Sequence, residues 1–168
     1  MGRSGDRELR RALGLPARTD PPAAPGRGAA PVGAFDGGSK PNPGPGGWAA
    51  VLPDGRELSG AERWTTNNRM ELTAAIRALE ATRGRLHLIG DSAYVINGIT
   101  RWLPAWRRRN WRKADGEPVE NSDLWRRLAQ LASGRKVTWE LVRGHRGHPL
   151  NERCDQLATA ARREQSGR

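Results

Sequence analysis

At 168 residues the chain has the length of one domain with room for a tail, and it can bury a sizeable core. Its formal charge of +11 points to a polyanionic partner, and no apolar run approaches the roughly 18 residues that a bilayer span needs, so membrane insertion is excluded and nucleic acid leads. A single cysteine, Cys154, rules out an internal disulfide and, with no apolar signal segment ahead of the domain, predicts a reducing, cytoplasmic setting.

Residues 1–31 hold six Arg, three acids, five Pro and five Gly with few large apolar side chains, which predicts a disordered, weakly basic tail. From Val32 the pattern changes to short apolar runs and turns, so a domain is expected over 32–163, with 164–168 a frayed end. Val32, Ala34 and Phe35 begin a strand. Asp36 follows, and the Gly- and Pro-rich residues 37–47 read as a loop that presents this carboxylate. A solvated turn acid is the plain alternative. Residues 48–52 suit a buried strand, 53–55 a turn and 56–61 a returning strand, so three consecutive strands form an antiparallel meander.

Residues 67–82 switch to a helical period, with Leu72, Ala75, Ile76 and Leu79 at i, i+3, i+4 and i+7. Asn68, three residues before Glu71, resembles a capping pair and would give Glu71 a structural job. Residues 86–89 form a short apolar strand ending at Gly90 and Asp91, with a helix through Val95 and Ile96 beyond. A carboxylate just past a strand end lies where open α/β sheets keep their chemistry, although a helix cap has the same pattern.

Residues 101–113 carry six Arg or Lys and three Trp (Trp102, Trp106, Trp111) and no acid. Such interleaving suits a surface that neutralises phosphates and stacks on sugars or bases. The alternative is an amphipathic helix whose tryptophans pack inward, and some of each is expected: Trp102, Trp106 and Arg109 share a helical face that Arg107, Arg108 and Arg112 avoid. Residues 121–133 read as a capped helix with Leu124, Leu128 and Leu131 inward and Gly134 ending it. Val137, Trp139 and Leu141 alternate with polar neighbours as a half-buried strand. A last helix, capped by Asn151, has the stripe Cys154, Leu157, Ala158 and Ala161. It places Asp155 in its first turn, where the helix dipole alone would account for an acid.

Each of the four acids therefore has an ordinary explanation. Yet Asp36 and Asp91 sit at strand ends, and Glu71 and Asp155 sit on helices whose apolar stripes face a sheet. If those helices pack on the sheet, the four converge. Two carboxylates about 4 Å apart repel by on the order of 4 kcal/mol at an effective dielectric of ~20. A divalent cation relieves that repulsion, and hard oxygen ligands select Mg²⁺ or Mn²⁺. Zinc is disfavoured, because Cys154 with His87, His145 and His148 gives no closed ligand set. Paired ions are the usual arrangement for in-line cleavage of phosphodiesters.

Four segments, DGGSKPNPGPGG with Asp36, TTNNRMEL with Glu71, GDSAYV with Asp91 and RGHRGHPLNERCDQLA with His145 and Asp155, resemble type 1 ribonuclease H of the bacterial kind. The likeness runs over residues 33–161. It implies an α/β, ribonuclease H-like fold: a five-stranded mixed sheet, three antiparallel strands then two parallel, flanked by helices. It further implies a monomeric endonuclease that cuts the RNA strand of RNA/DNA hybrids with two Mg²⁺ ions per site, Mn²⁺ being the alternative, and leaves 5′-phosphate and 3′-hydroxyl ends.

By this resemblance Asp36 bridges both ions, Asp155 completes the site that activates the attacking water, and Glu71 and Asp91 hold the second ion. His145 matches a histidine that assists proton transfer or product release. Asn42, Thr66, Asn67 and Asn68 match positions that contact the hybrid's minor groove and phosphates, and the Gly-rich segment offers backbone carbonyls to the 2′-hydroxyl that distinguishes RNA. Trp102, Trp106, Arg107, Arg108, Arg109, Trp111, Arg112 and Lys113 match a basic protrusion that grips the DNA strand. Ala93 departs from the pattern, since many relatives carry Gln there, and one groove hydrogen bond is expected to be missing. A noncatalytic hybrid-binding module is the rival reading, but it would not require all four acids. A transposase or resolvase domain fits TTNNRMEL and GHRGHP poorly.

Overall fold

The computed structural model describes residues 29–143 and 148–167, so residues 1–28 of the expected tail, and His145, lie outside the described residues. Strands β1 (Val32–Ser39), β2 (Gly44–Val51), β3 (Glu57–Thr65), β4 (Leu86–Gly90) and β5 (Val137–Leu141) form one sheet in the order β3-β2-β1-β4-β5. The first three are antiparallel neighbours, whereas β4 runs parallel to β1 and β5 parallel to β4. Helix α1 (Asn67–Glu80) connects β3 to β4. Between β4 and β5 come α2 (Ala93–Asn97), a π-helical turn (Gly98–Trp102), α3 (Leu103–Arg108) and α4 (Ser122–Ala132), and α5 (Pro149–Ser166) follows β5. No described helix is long and apolar enough to cross a membrane.

Because side chains alternate along a strand, β1 feeds two cores. Phe35 enters the larger one, among Leu72, Leu79, Leu88, Val95, Trp125 and Leu128. Ala34 joins Val51, Ile89 and Cys154 in a smaller core with Leu150 and Leu157 of α5. Burial pushes the Cys154 thiol up to about 12.

The glycine-rich segment is not one loop. Strand β1 continues to Ser39 and β2 starts at Gly44, so the ladder holds Gly37, Gly38, Gly46 and Gly47 and only residues 40–43 turn. The reason is close packing: a Cβ at Gly37 would stand 2.6 Å from the Glu71 amide nitrogen, and one at Gly47 would stand 2.8 Å from that of Arg162. Bare backbone at these points lets α1 and α5 lie directly on the sheet.

Three helix assignments shift. Thr66, not Asn68, caps α1, its hydroxyl accepting the Arg69 amide at 3.2 Å, and Glu71 falls beyond the first turn. Helix α5 begins at Pro149 after His148, so Asn151 is a buried residue of the first turn and not the cap. Glu152 is the acid of that turn and Asp155 stands in the next, which removes the dipole explanation for Asp155. In α4 the wholly buried residue is Trp125, with Leu128 and Ala129, while Leu124 and Leu131 only flank the core. Its indole lies against Gly98, where any side chain would collide with it, and its Nε1 donates to the Tyr94 hydroxyl at 3.0 Å. Asn121 precedes α4 with φ 58° and makes no capping bond. Its amide donates to the same Tyr94 hydroxyl at 3.2 Å and its oxygen accepts from Arg69 at 3.2 Å.

Candidate active site

The parallel pairing of β1 with β4 sets Ala34 opposite Ile89. Two residues further along each chain come Asp36 and Asp91, close enough that their side chains share a hydrogen bond. Period two also puts them on the face of Ala34 and Ile89, the face that α5 covers. The apolar stripe of each strand thus gives way to a carboxylate at the same height. Asp155, adjacent to buried Cys154 on α5, borders that face from above. Glu71 arrives from α1, which Gly37 admits against β1. All four line one cleft of about 280 Å³. A larger cleft of about 470 Å³, near the end of α1 and start of β4, has one acid, Glu80, which already pairs with Arg127 at 3.2 Å.

Asp36 is only 7% exposed, and that burial pushes its carboxyl up to about 8. Repulsion from Asp91 and Asp155 adds to the rise, as does a hydrogen bond with Asp91, while the Gly37 amide opposes it. Glu71 is pushed up to about 7, first by burial and then by Asp91, against the Ser92 hydroxyl that donates to its Oε2 at 2.6 Å. The same Ser92 oxygen accepts the Val95 amide at 3.1 Å, so Ser92 caps α2 and leaves the Asp91 carboxylate to the cleft.

A carboxylate such as Asp36, whose proton affinity is raised by burial and by neighbouring acids, is what a cation relieves, and an all-oxygen donor set suits Mg²⁺ or Mn²⁺. Among the described residues no group of three His, Cys, Asp or Glu closes into a cage that holds a metal by itself.

Asn67 lines the cleft, and with Asn42 it knits the β1–β2 turn to α1. Asn67 Oδ1 accepts the Ser39 amide at 2.7 Å, and Asn42 Oδ1 accepts the Asn67 amide at 3.2 Å. The hydroxyl of Thr66 is occupied by its capping bond, Asn68 follows on the first turn of α1, and Ala93 opens α2 with an exposed side chain. In residues 101–113 two of the three tryptophans pack inward. Trp106 and Trp111 pack against the larger core, with Trp106 5.1 Å from Trp125, whereas Trp102 is 40% exposed. Arg107 donates to the Ala129 carbonyl at 3.3 Å and Arg112 to that of Gly116 at 3.0 Å. Arg108, Arg109 and Lys113 are exposed.

Sequence reasoning passed over Ser92, Lys40 and Arg162, the last two lining the cleft. The signal for Arg162 was its place seven residues after Asp155, two turns along one helical face.

The family model described as RNase H matches residues 32–163. Ribonuclease H of Acidiphilium cryptum (strain JF-5) is 62% identical over 132 residues, covering 76% of this chain and 82% of that protein. Ribonuclease H of Granulibacter bethesdensis (strain ATCC BAA-1260 / CGDNIH1) is 62% identical over 134 residues, covering 77% and 89%. Among solved structures, LC9-RNase H1, described as a type 1 RNase H with the type 2 active-site motif, superposes with a TM-score of 0.67 at 34% identity, over 81% of this chain and 74% of its own. With the family model spanning most of its length, and relatives of that name sharing well over half of the aligned residues, this chain belongs to the ribonuclease H family of enzymes.

Proposed function

We propose that the chain cuts the RNA strand of RNA/DNA hybrids endonucleolytically, with two Mg²⁺ ions, and leaves 5′-phosphate and 3′-hydroxyl ends. The observation that carries this is the meeting, in one cleft, of carboxylates from β1, α1, the end of β4 and α5. Asp36 and Asp155 would hold one ion, and Asp36 with Glu71 and Asp91 would hold the other. Mn²⁺ is the alternative metal. When bound, the ions supply an acidified water and positive charge at the departing 3′ oxygen.

The chain's own residues do the rest. Burial pushes the Asp36 carboxyl up to about 8 and that of Glu71 up to about 7 in the metal-free cleft, so a bound cation would compete with protons there. Ser92 holds Glu71 in place, and His145 assists proton transfer or product release. Asn42, Thr66, Asn67 and Asn68 face the hybrid's minor groove. The exposed Trp102 and the basic residues of 101–113 take the DNA strand, while Trp106 and Trp111 support them from beneath. A net charge of +11 favours such a substrate. The catalytic unit is residues 32–163, acting as a cytoplasmic monomer, with residues 1–31 a basic appendage.

The test is incubation with labelled RNA/DNA hybrid, duplex RNA and duplex DNA, each with and without EDTA, followed by analysis of the ends. Cutting confined to the RNA of the hybrid, and silenced by EDTA, is expected. Cutting that survives EDTA, or that falls equally on duplex DNA, overturns the reading. A hybrid bound but left whole would make the protein a binding module.

A further inference from the structure

We propose that Arg162, together with Lys40 on the same cleft, binds backbone phosphates of the RNA strand beside the cut and so fixes which bond lies over the carboxylates. This rests on the function proposed above and adds to it the residues that set the strand's register.

The wall of the cleft formed by α5 is a single helical stripe, Asp155, Ala158, Thr159 and Arg162. Small side chains in its middle leave a trough between an acid at one end and a guanidinium at the other. Seven residues of helix separate those ends by about 10 Å, which spans a few nucleotide steps at about 3.4 Å of axial rise per strand. The base of Arg162 is held firmly, because Gly47 brings its amide nitrogen against β2.

The charged end is left free. Arg56, Arg69, Arg127 and Arg153 each pair with an acid, at 2.7, 2.9, 3.2 and 2.6 Å. Among the described residues, by contrast, neither the Arg162 guanidinium nor the Lys40 ammonium makes a hydrogen bond or ion pair, although four carboxylates line the same cleft. An anionic strand approaching those carboxylates meets repulsion, and unpaired cations at the rim offset it. A guanidinium fork fits two phosphate oxygens at once, whereas the Lys40 ammonium acts as a point charge on the β1–β2 turn. The arrangement assigns Arg162 a phosphate within three nucleotides of the cut.

The experiment uses the full chain and a hybrid with one defined cut. Arg162→Ala keeps the Cβ and its packing on β2. It should raise KM about tenfold, the loss expected for a charge-assisted hydrogen bond, with kcat much less affected. The slope of log(kcat/KM) against log[salt] should become shallower by about 0.7 to 0.9, and Arg162→Lys should restore that slope. Hybrids carrying one neutral methylphosphonate at successive RNA positions locate the partner. One such linkage near the cut should weaken the wild type yet add nothing to the Arg162→Ala defect, and the same comparison with Lys40→Ala should single out a different phosphate.

An unchanged salt slope in Arg162→Ala, or a methylphosphonate penalty that persists in full, overturns the assignment. If the wild type binds the hybrid without cutting it, the hydrolytic reading fails, and the same comparisons made in Kd still decide whether Arg162 meets a phosphate.

Discussion

Gly37 lies so close to α1 that a methyl group there would stand 2.6 Å from the amide nitrogen of Glu71. A side chain at this position must push the helix off β1, and Glu71 travels with it. Gly37→Ala is expected to cost about 1–3 kcal/mol, as overpacking does. Turnover should drop roughly 100-fold, the scale of a 1 Å misplacement. Denaturant melts and single-turnover rates check both, and wild-type values in each would mean that the helix does not rest on that glycine.

The protonation of Asp36 gives metal-free stability a definite direction with pH. Its folded carboxyl titrates at about 8 against 3.8 for the ordinary group, so between those values the folded state keeps a proton that the unfolded state has released. Stability of the metal-free protein is therefore highest below about pH 4 on this account and is lost as pH rises toward 8, at up to about 1.4 kcal/mol per unit. Glu71, raised to about 7, adds to the decline between 4.5 and 7. Asp36→Asn should flatten the slope, stabilise the metal-free protein at pH 8, and abolish cleavage while hybrid binding survives. Denaturant titrations in EDTA at several pH values measure the slope, and stability that rises over this range would refute the burial of an uncompensated carboxylate.

Ser92 serves two elements with one oxygen, donating to Glu71 and capping α2. Ser92→Ala removes a bond that holds the Glu71 pKa down, so the acid limb of the pH–rate profile should move to higher pH. Loss of the cap should lower stability by about 1 kcal/mol. Ser92→Thr should recover both. A profile that stays in place while stability falls would leave Ser92 a cap and nothing more.

Replacing Arg107, Arg108 and Arg109 by Ala should raise KM and flatten its dependence on salt, because every phosphate left without its cation keeps the counterions that binding would otherwise release. The indoles beneath should stay packed, since Trp106 sits on Trp125 and Trp111 on the larger core. Kinetics across a salt series, with near-UV circular dichroism as a control on the indoles, separates the two roles. An unaltered salt response would remove the protrusion from the binding surface.

Much of this was legible because strand periodicity acts locally, and the resemblance supplied the parallel pairing of β1 with β4. Asp36 lies two residues past Ala34 and Asp91 two past Ile89, so recognising the strands, with that pairing, nearly sufficed to set the two acids side by side. The helix starts were harder, because Thr65, Thr66, Asn67 and Asn68 are consecutive cap-forming types. Which one caps depends on where β3 releases the chain, a tertiary matter. Helix α4 admits two inward stripes, one through Leu124 and one through Trp125. The choice is made by Gly98, more than twenty residues away, whose missing side chain opens the space the indole fills. Gly37 and Gly47 read as turn residues for the same reason: a glycine that admits a neighbouring helix looks, in one dimension, like a glycine that bends the chain.

Cys154 has a practical consequence beyond its packing. Its sulfur is sealed between α5 and the sheet, one residue from Asp155, so a thiol-reactive dye can reach it only when that helix lifts. Labelling speed becomes a clock for the detachment that also dismantles the acidic cleft, and any ligand that pins Asp155 to its fellows should slow the clock.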